Sequence, residues 1–262
     1  MSRLNDLNGK EWIQLTKSWF KISAKQRAKN EVKHPAKYPE ELVDNFIRFF
    51  THKGDTVLDP FLGVGSTIVS AENNGRKGIG LEINDEFVSI SKSRCSNEAV
   101  IIHGDSRKTI KKIQDDSVDY IITSPPYWNI LSKKRGNSDS QHGDRLKKGL
   151  QLTYSELSDD LSNIEDYDLF LKELVKLFEK CYLKLKKGKY MTIIIQNFRN
   201  VDGRYITLAW DLVAKLSKKW QFCGEQIWFQ EDKKLGIWGY PSTFVPNIHH
   251  HYCLNFRKNE NE

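Results

Sequence analysis

The sequence predicts an α/β fold, a seven-stranded, mostly parallel sheet with helices on both faces. Three observations predict it. Short β-branched runs alternate with stretches of helical period, the order that a parallel sheet with crossover helices produces. Those runs are apolar nearly throughout, as strands buried on both faces are. The 262 residues include 39% hydrophobic and 11% aromatic side chains, enough to fill a core in a single domain spanning 1–262.

The strands are expected at 56–59, 77–83, 100–103, 119–123, 190–195, 225–229 and 251–256. Between them, helical period runs over 39–50, 167–185 and 205–216. In the first of these, Leu42, Val43, Phe46, Ile47 and Phe50 fall on one face, and Pro39 suits a first helical turn. The connection 230–250 has no helical period, so the last strand is expected to run antiparallel. Residues 1–33 form a basic leader whose Trp12, Trp19 and Phe20 are expected to pack on the domain. Residues 129–164 are polar and charged, with Lys133-Lys134-Arg135 and Lys147-Lys148. A segment of about 35 residues without apolar pattern inside a compact domain is often functional.

Lys and Arg number 41 against 34 Asp and Glu, a net charge of +7 that suits a polyanionic partner without establishing one. No apolar run approaches the roughly 20 residues that span a bilayer. The start, Met1-Ser2-Arg3-Leu4-Asn5-Asp6, has no apolar signal core, so no membrane association and a cytoplasmic location are expected. The four cysteines form no Cys-x-x-Cys pair and are expected to be reduced, structural thiols. His249-His250-His251 would alternate faces along a strand, so no metal site is expected there; a place at a pocket rim or plain structural use is expected instead.

Two motifs carry chemistry. Asp59-Pro60-Phe61-Leu62-Gly63-Val64-Gly65-Ser66-Thr67 follows the first predicted strand and opens a helix. Gly63 and Gly65 allow close backbone approach, and the helix start offers free N–H groups. Glu82 ends the next strand 19 residues after Gly63, where an acid suits a ribose diol. Asp105 and Ser106 end the third strand, where adenine would lie, although Asp105 also reads as a helix cap. A nucleoside-type cofactor follows. No Gly-Lys-Ser/Thr is present for a triphosphate, and nicotinamide stays possible on this loop alone.

The second motif is Ser124-Pro125-Pro126-Tyr127, after the fourth predicted strand and at the sheet edge where α/β ligands bind. Two prolines end the ladder and free carbonyl oxygens. With the Ser124 hydroxyl and the Tyr127 ring, they would suit an amino group held by two acceptors and stacked on an aromatic.

Together these motifs resemble the S-adenosylmethionine-dependent DNA methyltransferases that act on exocyclic amino groups, the cytosine-N4 and adenine-N6 enzymes. The resemblance runs from about residue 9 to 258 and implies a Rossmann-like methyltransferase sheet. It implies S-adenosyl-L-methionine as cofactor, lined by Asp59, Phe61, Gly63, Gly65, Glu82, Asp105 and Ser106. His34, Pro35 and Ala36, in a segment similar to one that precedes the glycine loop in the family, would approach the methionine end. Ser124, Pro125, Pro126 and Tyr127 would receive the target base. Serine at the first tetrapeptide position points to cytosine N4, with base flipping from double-stranded DNA and a possible companion restriction endonuclease. In many serine-type relatives the catalytic half comes first; here the cofactor half does. The place of target recognition is therefore open between 129–164, 230–250 and the leader, with 129–164 the first candidate. The alternatives are adenine-N6 methylation, RNA methylation and an idle nucleic-acid-binding module.

Overall fold

The computed structural model describes residues 3–22, 39–128, 160–200, 202–233 and 235–260. In chain order the elements are α1 (Gly9–Leu15), β1 (Trp19–Lys21), α2 (Glu40–Phe50), β2 (Thr56–Asp59), α3 (Ser66–Asn73) and β3 (Lys77–Glu82). Then come α4 (Asp85–Arg94), β4 (Val100–His103), α5 (Ser106–Thr109), β5 (Val118–Thr123), α6 (Tyr167–Lys184) and β6 (Leu185–Ile195). The chain ends with β7 (Phe198–Arg199), β8 (Tyr205–Ile206), α7 (Leu208–Leu216), β9 (Gln221–Phe229) and β10 (His250–Arg257).

Among the described residues, eight strands make one sheet in the order β1-β9-β10-β6-β5-β2-β3-β4. Only β10 runs against its neighbours, pairing antiparallel with β6 and β9. The mostly parallel α/β sheet and the antiparallel last strand are as expected. The eighth strand is the difference: Trp19–Lys21, from the leader, pairs in parallel with Ile227, Trp228 and Phe229. Trp12 packs on Phe49 with ring centroids 4.8 Å apart, and Phe20 meets the edge of Phe46 at 6.0 Å.

The core follows from strand alternation. Val57, Tyr120, Ile122 and Ile194 face the stripe Leu42, Val43, Phe46, Ile47 and Phe50 of α2. Leu58, Ile121 and Ile193 face the other way and pack with Phe170, Leu174 and Phe178 of α6 and Leu212 of α7. Side chains on successive residues leave opposite faces of a strand, so a buried sheet fills both layers. Removing one such ring, as in Phe46→Ala, costs about 3–5 kcal/mol. One helix boundary differs from the sequence reading. The stretch 205–216 is helical only from Leu208, because Tyr205 and Ile206 pair with Arg199 and Phe198. Lys186 and Lys189 lie in β6 and anchor it to neighbouring acids. Lys186 Nζ bonds Asp119 at 2.8 Å and Lys189 Nζ lies 3.5 Å from Asp55.

Because β2, β3, β5 and β6 run parallel, the residues that end them gather on one edge of the sheet. That edge carries both sequence motifs.

Candidate functional site

Asp59 ends β2 and is fully buried. Its Oδ1 accepts hydrogen bonds from the Phe61 N–H at 2.9 Å and the Thr123 hydroxyl at 2.6 Å. Its Oδ2 accepts from the Thr67 hydroxyl at 2.5 Å. The carboxylate thus ties together the end of β2, the first turn of α3 and the end of β5, beside Ser124. The sequence places Asp59 in the glycine motif; it does not reveal the Thr67 and Thr123 partners.

The glycine loop is seated by the next strand. The Leu62 N–H bonds the Leu81 carbonyl at 2.9 Å, and the Gly63 N–H donates to Glu82 Oε2 at 2.7 Å. The Asn84 N–H occupies Glu82 Oε1 at 2.8 Å, leaving a further lone pair on each oxygen for a diol. Gly65 caps α3 at φ 89°, where a side chain would be strained, and a Cβ there would sit 3.0 Å from Ser91 Cβ. Two strand glycines that sequence reasoning passed over let the loop descend. A Cβ on Gly80 would lie 2.4 Å from Leu62, and one on Gly78 2.6 Å from Ile68. Their signal was visible as glycines at alternate positions inside a strand, a mark of close approach.

Burial pushes the Glu82 carboxyl up to about 7, against the N–H groups of Asn84 and Gly63 that favour its charge. Ser66 begins α3, and its buried hydroxyl has no partner among the described residues. A paired acceptor set at Glu82, an unused hydroxyl at Ser66 and helix N–H groups beside Gly63 fit an adenosine cofactor carrying an amino-acid tail. Gly104 N–H bonds the Glu82 carbonyl at 2.8 Å. Ser106 donates to the Pro60 carbonyl, which draws the loop after β4 to the loop after β2. Asp105 caps α5 through the Arg107 N–H at 2.9 Å and pairs with the Arg107 guanidinium at 3.0 Å.

His34, Pro35 and Ala36 lie outside the described residues, as does most of 129–164. The helix that follows residues 34–36 is anchored at the site: Arg94 reaches Glu40 of α2 at 2.5 Å and also donates to the Val64 carbonyl of the glycine loop.

Ser124 is partly exposed, Pro125 and Pro126 are buried, and Tyr127 is partly exposed. The Tyr127 ring meets the edge of Phe198 at 6.5 Å and lies 6.4 Å from His251, which stacks on Trp228 at 4.7 Å. Trp128 belongs to the core: it is buried, its indole N–H bonds the Ile164 carbonyl at 3.0 Å, and it meets Tyr167 edge-on at 5.3 Å. His251, from the histidine run read in the sequence as either a pocket-rim or a structural element, lies beside Tyr127. Burial and the Lys233 charge push its imidazole down to about 3, and its buried Nδ1 has no partner among the described residues. Among the described residues no three His, Cys, Asp or Glu side chains gather as ion ligands.

Comparison with known proteins places the chain in a family. The DNA methylase family profile of N6/N4 type matches residues 5–93 and 118–262. A type II methyltransferase of Streptococcus pneumoniae, M2.DpnII, is 38% identical over 98 residues, 37% of this chain and 35% of that protein. A protein of Methanothermococcus thermolithotrophicus, named for tRNA (guanine(10)-N2)-dimethyl transfer, is 29% identical over 147 residues, 50% of this chain and 90% of that one. A SAM-dependent methyltransferase structure from Methanosarcina mazei superposes with a TM-score of 0.50 at 13% identity, covering 82% of this chain and 97% of that chain, which shows the shared fold. The matched stretches span 26%, 29% and 35% of the methyltransferases M.BamHII, M.MthZI and M2.DpnII, so this chain spans about a third or less of each. On the family match, which covers most of the sequence, the chain belongs to the N6/N4-type DNA methylase family.

Proposed function

We propose that the protein transfers a methyl group from S-adenosyl-L-methionine to an exocyclic amino group in double-stranded DNA, with the N4 amine of cytosine as the target. One observation carries the reading. The glycine loop with Glu82 and the Ser124–Tyr127 tetrapeptide stand side by side on one sheet edge, joined through Asp59 to Thr67 and Thr123. That adjacency supports a donor slot and an acceptor slot that share one edge. Serine at position 124 supports cytosine over adenine.

The cofactor supplies an electrophilic methyl on a sulfonium. Glu82 would hold its ribose hydroxyls, with Asp59 and Phe61 shaping the loop and Gly63 and Gly65 leaving room for its approach. Ser66 would meet the amino-acid end, with His34, Pro35 and Ala36 closing over it. Asp105 and Ser106 would border the adenine. On the other side, a cytosine amine is a weak nucleophile because its lone pair is delocalised into the ring. The Ser124 hydroxyl and the Pro125 carbonyl would accept its two hydrogens and turn that lone pair toward the methyl. Pro126 stiffens the turn, and Tyr127 would stack on the base. The amine so held would take the methyl that the sulfonium supplies, the sulfur leaving as a thioether, and would shed one proton to water at the rim. Alignment of this kind is worth up to about 7–11 kcal/mol. A fixed polar surround at the reacting centre adds to it.

The target is stacked inside a duplex, so the base must be extruded, at a cost of a few kcal/mol. Stacking on Tyr127 would offset about 1–3 kcal/mol of that. Work on chromosomal DNA would place the protein in the cytosol, and its kinship to type II enzymes supports a companion endonuclease. The relative named for tRNA favours RNA as the second reading. The test is transfer of labelled methyl to duplexes carrying only dC or only dA amines at candidate sites, and to RNA. Label in dC supports the proposal; label confined to dA or to RNA rejects it.

A further inference from the structure

The connection between β9 and β10 bears an unusual surface. Of the fourteen large hydrophobic side chains exposed among the described residues, five lie within ten positions: Leu235 at 78%, Ile237 at 86%, Trp238 at 52%, Tyr240 at 83% and Phe244 at 85%. Scattered exposed apolar residues need no explanation, but such a concentration marks a contact surface.

The loop is braced from within. Asn247 Oδ1 accepts from the Gly236 N–H at 2.9 Å and the Trp238 indole N–H at 3.1 Å, while its Nδ2 donates to the Gly236 carbonyl at 2.9 Å. Lys233 Nζ donates to the Ile248 carbonyl at 2.9 Å. The Gly239 carbonyl accepts from the N–H groups of Ser242 and Thr243 at 2.9 and 2.7 Å. Gly239 has a φ of 70°, and a Cβ there would collide with the Thr243 oxygen at 2.1 Å. Trp238 therefore serves the brace, and Ile237, Tyr240 and Phe244 project from it.

Position indicates the occupant. Strand β9 is parallel to β6, since both pair antiparallel with β10. The loop therefore leaves the sheet at the same edge as Ser124–Tyr127. It returns through His251, whose ring lies 6.4 Å from Tyr127, and Gln196 at the end of β6 donates to the His250 carbonyl at 2.5 Å. Extruding a base from a duplex leaves a gap between its neighbours and exposes their faces. Apolar and aromatic side chains entering base steps are a recurrent way to fill such a gap.

We propose that residues 235–244 form a wedge that enters duplex DNA beside the target nucleotide, with Tyr240 and Phe244 stacking in the space the base vacates. The inference rests on the proposed action on duplex DNA. The wedge is needed only when the base must be taken from a stack, so duplexes differing in the partner of the target base separate it from general DNA contact.

The experiment first maps the methylated position in genomic DNA treated with the wild-type protein. Two oligonucleotide duplexes carrying that site follow, one fully paired and one with an abasic site opposite the target. Tyr240→Ala and Phe244→Ala should lower kcat/KM on the paired duplex by about ten- to a hundredfold, the range that losing one base stack gives. On the abasic duplex the loss should stay under about threefold. Equal losses on both duplexes, or none on either, would overturn the wedge. Unchanged methylation with altered self-association in sedimentation would assign the surface to a second copy of the chain and overturn it as well. Wild-type protein that modifies no DNA would instead defeat the functional reading itself.

Discussion

The Thr123 hydroxyl donates a 2.6 Å hydrogen bond to Asp59 Oδ1, so the last residue of β5 is held by the last residue of β2. One of these residues opens the glycine loop and the other opens the tetrapeptide. The two slots of the proposed site therefore cannot drift apart without breaking a buried bond to a carboxylate, worth about 1.5–3 kcal/mol.

Thr123→Val keeps the shape and removes the donor. Asp59 retains the Thr67 hydroxyl and the Phe61 N–H. Stability should fall by about 1–2 kcal/mol. For a chain of this size that is roughly 2–8 °C in Tm by calorimetry. The kcat for methyl transfer should fall more than cofactor affinity does, because both slots survive and only their registration suffers. A variant with unaltered Tm and kcat would show that the bond positions nothing.

Gly80→Ala tests how the glycine loop is seated. The new Cβ would press on Leu62 from 2.4 Å, within the loop itself. Overpacking of this kind costs about 1–3 kcal/mol. Displacement of Gly63 should weaken S-adenosylmethionine binding by about tenfold or more, read by isothermal titration. Binding at wild-type strength in a folded variant would contradict this seating.

Glu82 makes cofactor binding sensitive to pH. Its carboxyl titrates at about 7 in the folded protein, above its ordinary 4.5, because it is buried. The folded state then holds a proton that the unfolded state releases, so this group's contribution to stability is present below about 4.5 and is lost as pH rises toward 7. A ribose diol donates two hydrogen bonds and favours the charged form, so binding below pH 7 should release a proton. Cofactor affinity should rise up to about tenfold per pH unit between 5.5 and 7 and level off above. Glu82→Gln should bind more weakly and flatten the profile. His251, already neutral in this range, should contribute no slope. An unchanged slope in Glu82→Gln would remove the acid from the cofactor slot.

Much of this was legible in the sequence because parallel strands write their burial plainly. Leu58, Ile121 and Ile193 sit in near-continuous apolar runs, and the acids and prolines that end those runs mark the functional edge. What escaped depended on distant partners. Trp19–Lys21 has an alternating, half-exposed pattern and becomes a strand only because Ile227–Phe229 lies beside it. Tyr205 and Ile206 share the helical period that continues into α7, yet pairing with Phe198 and Arg199 takes them. Asp59 reads as a ligand acid from its place in the glycine motif, while Thr67 and Thr123, eight and 64 positions away, enclose it. The histidine run suggests a pocket rim, but the stack of His251 on Trp228 and its distance to Tyr127 depend on distant partners. Both follow from the antiparallel return of β10.

The central claim is that donor and base slots share a wall at Ser124–Tyr127. The most direct measurement is single-turnover transfer of labelled methyl from S-adenosylmethionine to a dC-containing duplex by wild-type, Ser124→Ala and Tyr127→Ala proteins, with cofactor affinity measured on the same samples. The account predicts label on cytosine N4 with wild type, at least about a hundredfold slower transfer in both variants, and cofactor affinity within about threefold of wild type, since the loss falls on alignment and stacking at the base. Transfer at the wild-type rate in Tyr127→Ala, or cofactor binding that vanishes with it, would contradict the two-slot arrangement.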